Sequence, residues 1–347
     1  MSVNRHIIRA VAMLLLPILA SCRQELCYNH FPSADIRFSY EQEWERDYGR
    51  YHLSDWNPQY YGFDYNALRP GTPEWVTMVR YTDDDLPDER FLRPGGAQIS
   101  ISGKESSILF YNGDTEYIVL SDMASLYAAR ASATSRSRSS AIVGVMVERH
   151  PNARTTNSPD ILYSAFLKDV PTIRNHETRA MPVKMQPLVY TYVVRYEFEY
   201  GLQHVTQARG ALGGMAESVY LRDGTTSEET AIILYDCVMR PFGCEAHVRS
   251  FGIPGFPDEY YGRSPDQPDE RPYTLNLEVQ LKNGKTLEFN FDVSDQMANQ
   301  PRGGVITVSG LRVEDEENQS ASGFEVDVSG WGNHEVIDLP VGTEQTK

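Results

Sequence analysis

The sequence predicts an all-β protein that consists of two antiparallel β-sandwich domains in tandem. From residue 188 to residue 200, apolar or aromatic side chains occupy every second position, which is the period of a half-buried β-strand. A second alternating run, 273–293, is interrupted by Asn283-Gly284, a dipeptide typical of two-residue hairpin turns. We find no convincing amphipathic helix longer than about three turns, and therefore no alternation of strands and helices.

The first segment of the chain, 1–21, has the pattern of a secretory signal peptide. Its apolar run, 10–20, is shorter than the roughly twenty residues that a membrane-spanning helix needs. Arg5 and Arg9 precede this run, and no acidic residue occurs before Glu25, which is the charge pattern of a signal. The segment is predicted to be removed, which leaves 326 residues, enough for two domains of ordinary size.

Cys22 follows the signal directly, and residues 19–22, LASC, resemble a bacterial lipobox. In that motif the cysteine is acylated on its sulfur and becomes the mature N-terminus. One acyl chain anchors a protein only marginally, but three chains hold it firmly. Arg23 stands where an aspartate would resemble an inner-membrane retention signal. We therefore predict a palmitoylated lipoprotein of the outer membrane, with an incidental cysteine after an ordinary signal as the alternative.

The charge balance limits the kinds of partner. The sequence has 32 basic and 48 acidic side chains, and loss of Arg5 and Arg9 leaves about −18 on the mature chain. Nucleic-acid binding is not expected, because it requires basic groups that neutralise phosphates. The fractions of 41% hydrophobic and 23% charged residues are those of a globular protein rather than a disordered one.

Further strands are predicted from short β-like runs that are separated by Gly, Pro, Asn and Asp, the residues that turns use. These runs are 35–38, 75–81, 97–101, 108–111, 117–120, 142–147, 231–235, 305–308 and 324–328. Pro182 and Pro187 interrupt the pattern just before the long alternating run. We therefore divide the mature chain into an N-terminal sandwich, 22–180, and a C-terminal sandwich, 181–347.

Two segments are predicted to be insertions or long loops. Residues 44–73 are rich in Trp, Tyr and Asp, and their aromatic residues are spaced too irregularly for one strand. We interpret them as a loop or subdomain packed on the first sandwich. Residues 128–141 form a Ser/Arg-rich tract that we interpret as an exposed loop. A nucleic-acid role for this tract is not expected in so acidic a chain.

Three cysteines remain besides the predicted lipidation site, too few for a disulfide scaffold. Cys237 and Cys244 could close a small disulfide-bonded loop in an oxidising compartment. The alternative is two half-buried free thiols. Their spacing matches no zinc ribbon, and no nearby histidine pattern supplies further ligands.

Sequence signatures of catalysis and metal binding are missing. There is no G-x-S-x-G elbow, no H-E-x-x-H and no G-x-x-x-x-G-K-[ST] loop, and the histidines are scattered. The acidic run 83–85 lacks the glycine and terminal glutamate of a calcium loop and is interpreted as a solvated turn. We predict no metal, no cofactor and no enzymatic activity. A glycosidase stays open, because its two carboxylates need not be close in sequence.

Several short motifs resemble those of Bacteroidales fimbrillin-like outer-membrane lipoproteins, a family related to minor-fimbrium anchor subunits. The motifs are 26–30 (LCYNH), 111–116 (YNGDTE), 158–163 (SPDILY), 210–215 (GALGGM) and 289–296 (FNFDVSDQ). They are specific as a set and cover nearly the whole mature chain. The resemblance implies two transthyretin-like sandwiches, a lipid-anchored N-terminus and a part in fimbria-like assembly or adhesion.

Three functions compete. An anchor or accessory adhesion subunit would bind fimbrial or other surface proteins by adding a strand at a sheet edge, and this is the function we predict. A surface glycan-binding lipoprotein is the alternative and predicts exposed coplanar aromatics, for which Trp56, Tyr60 and Tyr61 of the 44–73 insertion are candidates. A hydrolase would need a cleft that holds two close carboxylates. The sequence does not decide between the periplasmic and outer faces of the membrane.

Overall fold

β-strands dominate the part of the chain that the structure describes. The computed structural model describes residues 32–41, 71–82, 86–101, 104–137, 142–173, 177–258, 262, 271–298, 300–315 and 335–338. Helical segments there include α1 Ile142–Arg149, a 3₁₀ turn at Leu202–His204 and α2 Ser294–Met297. The predicted all-β class is confirmed. The strands are β1 Ser33–Tyr40, β2 Val76–Tyr81, β3 Asp88–Leu92, β4 Ala97–Ser100, β5 Ser106–Asn112, β6 Ile118–Ser121, β7 Arg130–Ala133, β8 Arg154–Asn157, β9 Tyr163–Val170, β10 Thr178–Pro187, β11 Tyr190–Tyr200, β12 Val205–Ala216, β13 Ser218–Tyr220, β14 Thr230–Asp236, β15 Val238–Arg240, β16 Gly243–Ser250, β17 Thr274–Leu281, β18 Thr286–Asp292, β19 Gly304–Arg312 and β20 Glu335–Asp338.

The N-terminal strands form one seven-stranded sheet that folds over on itself. Its strand order is β3-β2-β5-β9-β10-β1-β4. The ring of Phe38 on β1 lies 5.4 Å from that of Phe110 on β5, although two strands separate β1 from β5 in the sheet. Tyr40 on β1 and Tyr163 on β9 are likewise 5.2 Å apart. The two ends of the sheet therefore face each other across a shared apolar core.

The C-terminal strands form two sheets that bury a second core. Their strand orders are β15-β16-β11-β19 and β20-β18-β17-β12-β14-β8. Tyr192 and Val194 of the first sheet and Leu277 and Phe289 of the second belong to this core. Burial of so much apolar surface is the main stabilising contribution to such a layered structure.

The two halves of the chain are joined by shared strands and a third core. β8 pairs in parallel with β14 of the C-terminal region, and β7 pairs with β13 in a small sheet, β13-β7-β6. Leu109 of the N-terminal sheet and Val219 and Phe251 of the C-terminal half lie in one cluster. β10 stays in the N-terminal sheet up to Pro187. The division at residue 180 and the transthyretin-like tandem arrangement stay predictions.

The predicted hairpin across Asn283-Gly284 is confirmed. β17 and β18 pair antiparallel, from Thr274 opposite Asp292 to Gln280 opposite Thr286. Gly284 has φ +87°, and the N–H of Leu281 donates to the carbonyl of Lys285 to close the turn. The positive φ explains the need for glycine.

Two local predictions are wrong. The run 142–147 was expected to be a strand and is helix α1, because a short apolar run does not distinguish a strand from a buried helix by periodicity. Met146 of this helix packs on Ala211, Ile232 and Leu234 of the six-stranded sheet. The tract 128–141 was expected to be a loop but contains β7, in which alternate alanines are buried.

The long strand β11 is more deeply buried than its sequence predicts. Arg195 lies on the face of the strand opposite the alternating apolar residues and is nevertheless only 6% exposed. Its guanidinium lies 4.2 Å from the ring centroid of Phe242, so an aromatic face covers the cation. The signal segment 1–21, Cys22, Cys27, the acidic run 83–85, most of the 44–73 insertion and the expected strand 324–328 lie outside the described residues.

Candidate functional site

The candidate site is a cleft that opens where β9 and β10 separate. In the described residues these strands pair only at Ser164–Gln186 and Tyr163–Pro187. Beyond these two pairs β9 continues along β5, while β10 turns to run parallel to β1. We call the gap between residues 165–170 of β9 and 178–185 of β10 the β9–β10 cleft.

Main-chain groups of both strands face this cleft. The N–H of Tyr163 donates to Asn112 Oδ1 on β5, 2.6 Å, so Phe166, of opposite parity, directs its N–H and C=O away from β5. The carbonyl of Met185 accepts from the N–H of Glu41 on the β1 side, 2.9 Å. By the same alternation Lys184 directs its main chain towards the cleft. Exposed strand edges of this kind are templates for a further strand.

Pro182 lies within β10 and its nitrogen also faces the cleft. Proline lacks an N–H, so within sheets it occurs at edge positions where no ladder hydrogen bond is required. Its position agrees with an open edge on this side of β10. Pro182 keeps its carbonyl acceptor but has no N–H donor. The edge of β9 therefore presents a fuller set of main-chain hydrogen-bonding groups than the edge of β10.

The cleft has an apolar floor and encloses a cavity of about 240 Å³. This floor includes Val183 of β10, which belongs to the N-terminal core cluster, and Ala165 and Leu167 of β9, which pack against that cluster. Its closed end is formed by Leu188 and the turn 221–224, and the hydroxyl of Ser164 donates to the carbonyl of Leu221 there. The lining residues are Ser164, Ala165, Phe166, Leu167, Pro182, Val183, Lys184, Gln186, Leu188, Leu221, Arg222, Asp223 and Gly224.

The rim of the cleft carries fixed charges. Arg222 donates to Asp223 Oδ2 through Nε and Nη2, at 3.0 and 2.6 Å, and its guanidinium lies 4.8 Å from the ring centroid of Tyr127. Burial acts to raise the pKa of Asp223, but hydrogen bonds from Arg222 and Thr225 outweigh it and hold this pKa below its usual value. On the opposite rim, Lys184 Nζ lies 2.8 Å from a carboxylate oxygen of Glu41.

Cys237 and Cys244 are both thiols in the structure, Cys244 buried and Cys237 partly buried. Cys244 lies opposite Met239 in the β15–β16 ladder, so Cys237 is its diagonal neighbour. Diagonal pairs have Cα atoms about 7–8 Å apart, which is long for a disulfide. A disulfide between them in an oxidising compartment and a pair of free thiols both stay predictions.

Sequence reasoning did not find the cleft residues. Pro182 was noticed, but as a domain boundary rather than as an edge signal inside a strand. The described residues contain no group of three or more His, Cys, Asp or Glu side chains arranged to hold a metal. Nor do they include a helix long and apolar enough to cross a bilayer.

This all-β architecture is shared with a solved structure from Bacteroides ovatus. A protein from Bacteroides ovatus ATCC 8483, described as a candidate adhesin, superposes with TM-score 0.54 at 17% identity, over 82% of this chain and 93% of that one. The fimbrial anchor protein Mfa2 from Porphyromonas gingivalis matches with TM-score 0.44 at 8% identity, over 83% of this chain and 94% of its own. The first similarity confirms the resemblance noted in the sequence at the level of the fold.

By sequence, residues 60–236 match DUF5119, a domain of unknown function. This match spans just over half of the chain, and the protein belongs to this family. No curated protein matches the sequence.

Proposed function

We propose that this protein is a lipid-anchored subunit of the outer membrane that serves fimbria-like assembly or adhesion and binds a partner protein by β-strand addition. The observation that carries the proposal is the β9–β10 cleft, where two strand edges face each other above an apolar floor. In strand addition, main-chain hydrogen bonds supply affinity and pockets for alternate side chains supply specificity. The facing strand edges would supply the hydrogen bonds, and the apolar floor would take alternate side chains of the added strand.

The remainder of the proposal follows from the sequence. Three acyl chains on Cys22 would hold the assembly to the membrane, and the resemblance to fimbrillin-like lipoproteins supports an adhesive role rather than catalysis. No cofactor or metal is needed for binding of this kind. Proteins that share a fold often differ in function. Strand addition, the lipid anchor and the adhesive role are therefore tested by separate experiments.

Strand addition is tested by photocrosslinking in cells. A photoreactive phenylalanine replaces Leu167 on the cleft floor, and a matched variant carries it at Val119 on β6, which is exposed and distant in sequence. We expect the Leu167 variant to form an adduct with a surface protein, and mass spectrometry to locate the link in an extended segment of that protein. Equal adducts from both variants, or none from Leu167, would contradict the proposal.

The lipid anchor is tested separately. Metabolic labelling with a palmitate analogue should label the wild-type protein and leave Cys22→Ala unlabelled, because the lipobox cysteine is the proposed acceptor. Label that persists in the variant would refute acylation at Cys22.

The functional class is tested by deleting the gene. We expect altered surface structures or adhesion and unchanged glycan hydrolysis by whole cells. If the purified protein cleaves a polysaccharide, and substitution of two neighbouring carboxylates abolishes the cleavage, the non-enzymatic proposal is wrong.

A further inference from the structure

A buried arginine lies next to the closed end of the β9–β10 cleft. Arg302, in the loop between α2 and β19, is only 5% exposed. Its guanidinium lies 4.2 Å from the ring centroid of Phe256 and 5.0 Å from that of Tyr190. Within the described residues Arg302 makes no ion pair with a carboxylate, and its Nε–H has no acceptor. Two aromatic rings thus surround this cation where an acidic partner is common.

The two terminal nitrogens of Arg302 donate to two different elements. Nη2 donates to the carbonyl of Gly224, which lines the closed end of the cleft. Nη1 donates to the hydroxyl of Tyr190 at 3.1 Å, and that hydroxyl donates to the carbonyl of Pro187 at 2.6 Å. One guanidinium therefore joins the turn 221–224 to the last residue of β10.

Pro187 belongs to the point at which β9 and β10 begin to separate. The two β9–β10 pairs continue into a third main-chain bond, in which the N–H of Leu188 donates to the carbonyl of Leu162 at 2.8 Å. We call these paired residues, 162–164 and 186–188, the fork. A Cβ atom on Gly224 would lie 3.0 Å from Leu188 Cδ2, so the turn lies close against the fork. The fork is therefore held by Arg302 and Tyr190 as well as by its own ladder.

We propose that the Arg302–Tyr190 pair is a positioning device that holds the fork closed and thereby fixes the register of the strand that the cleft accepts. An added strand can advance between β9 and β10 only to the point at which they pair with each other. If the fork opened, the strand could advance further. An advance of one residue would turn its apolar side chains away from the apolar floor, so we expect an advance of two. The register rests on the proposed strand addition, whereas the fork is a property of the protein alone.

Hydrogen exchange of the purified full chain tests the fork without a partner. Tyr190→Phe keeps the ring beside Arg302 and removes the hydroxyl between Arg302 and β10. We expect the peptide that contains Leu188 to exchange about tenfold faster than in the wild type. Arg302→Lys should act in the same direction, because one ammonium does not reproduce the planar guanidinium that reaches two acceptors. Tyr196→Phe is the matched control, since Tyr196 is equally buried on β11 and its hydroxyl lies 2.8 Å from that of Tyr235.

Photocrosslinking tests the register. When the photoreactive residue at Leu167 is combined with Tyr190→Phe, we expect the link to move to a residue two positions away in the partner segment. A loss of stability alone would lower the yield of adduct without moving the link. The inference is overturned if the linked residue does not change, or if exchange at Leu188 in Tyr190→Phe is no faster than in Tyr196→Phe. Absence of any adduct from Leu167 alone would contradict strand addition and the register with it, while faster exchange at Leu188 would still support the positioning of the fork.

Discussion

β10 and β11 follow one another in the chain but differ in how their main-chain groups are used. β11 pairs along its length with β16 on one side and β19 on the other, and its first seven residues are buried. β10 pairs with β1 on one side and leaves most of its other side to the cleft. The composition matches this difference, since β10 contains Pro182 and β11 has no proline.

The comparison shows that proline and charged residues within a strand carry information about pairing. They indicate that one side of the strand has no neighbouring strand. A central strand requires every N–H for its two ladders, so proline is excluded there. An edge tolerates proline and charged side chains, which also limit unwanted association. The same features that weaken the strand signal of β10 therefore identify the side on which β10 is unpaired over most of its described length.

The largest effect is expected from a proline in the fully paired strand. Val194→Pro removes a ladder hydrogen bond from β11 and its buried side chain, so we expect a loss on the order of 4 kcal/mol in the free energy of unfolding. Ala180→Pro, at a cleft-facing position of β10, should cost about 1 kcal/mol or less.

Urea unfolding at pH 7 measures both values, and Val194→Ala separates the packing loss from the hydrogen-bond loss. Equal costs for the two proline variants would mean that the cleft side of β10 is paired in solution. The comparison between the strands would then fail.

The sequence predicts those parts of the fold in which local pattern and tertiary environment agree. The alternation in β11 and the Asn283-Gly284 hairpin are confirmed, because period-two patterns and a positive-φ turn are local properties. Helix α1 was missed because Met146 packs on the six-stranded sheet, a tertiary contact that a single-sequence pattern does not reveal.

The cleft could not be predicted because it depends on which strands separate, and separation is a tertiary property. Pro182 was the available signal, since a proline flanked by alternating Met181, Val183 and Met185 indicates an edge strand rather than a boundary.

An intermediate loss of stability is expected at acid pH, and it should affect the packing of the C-terminal sheets. His150 is 4% exposed and its Nε2 lies 2.6 Å from Thr274 Oγ1 on β17. Burial, with a smaller contribution from the charge of Arg149, lowers the pKa of His150 to about 4. The unfolded chain therefore binds a proton more readily than the folded chain between about pH 6.5 and pH 4.

The contribution of neutral, buried His150 to the free energy of unfolding is fully present above about pH 6.5. It decreases as the pH falls towards 4, by roughly 3 kcal/mol at most. His150→Gln should reduce this pH dependence of the unfolding free energy, measured in urea at pH 7, 5.5 and 4.5. His247→Gln is the graded comparison, because burial also lowers the pKa of His247 but its side chain is 40% exposed, so we expect a smaller change in the pH dependence than for His150→Gln. An unchanged pH dependence in His150→Gln would show that the proton is taken up elsewhere.

The smallest effect on stability is expected from Pro182→Ala, and it tests the edge most directly. The substitution restores an N–H that faces the cleft, and loss of the rigid ring should lower the unfolding free energy by about 0.5 kcal/mol. Because a complete edge is a better template, we expect more self-association by analytical ultracentrifugation than for the wild type. Pro187→Ala is the matched control, since Pro187 belongs to the end of β10 that pairs with β9.

If Pro182→Ala instead raises stability by more than about 1 kcal/mol, the new N–H has found an acceptor within the chain. In that case β9 and β10 close on each other in solution, and the cleft is not free to accept a partner strand.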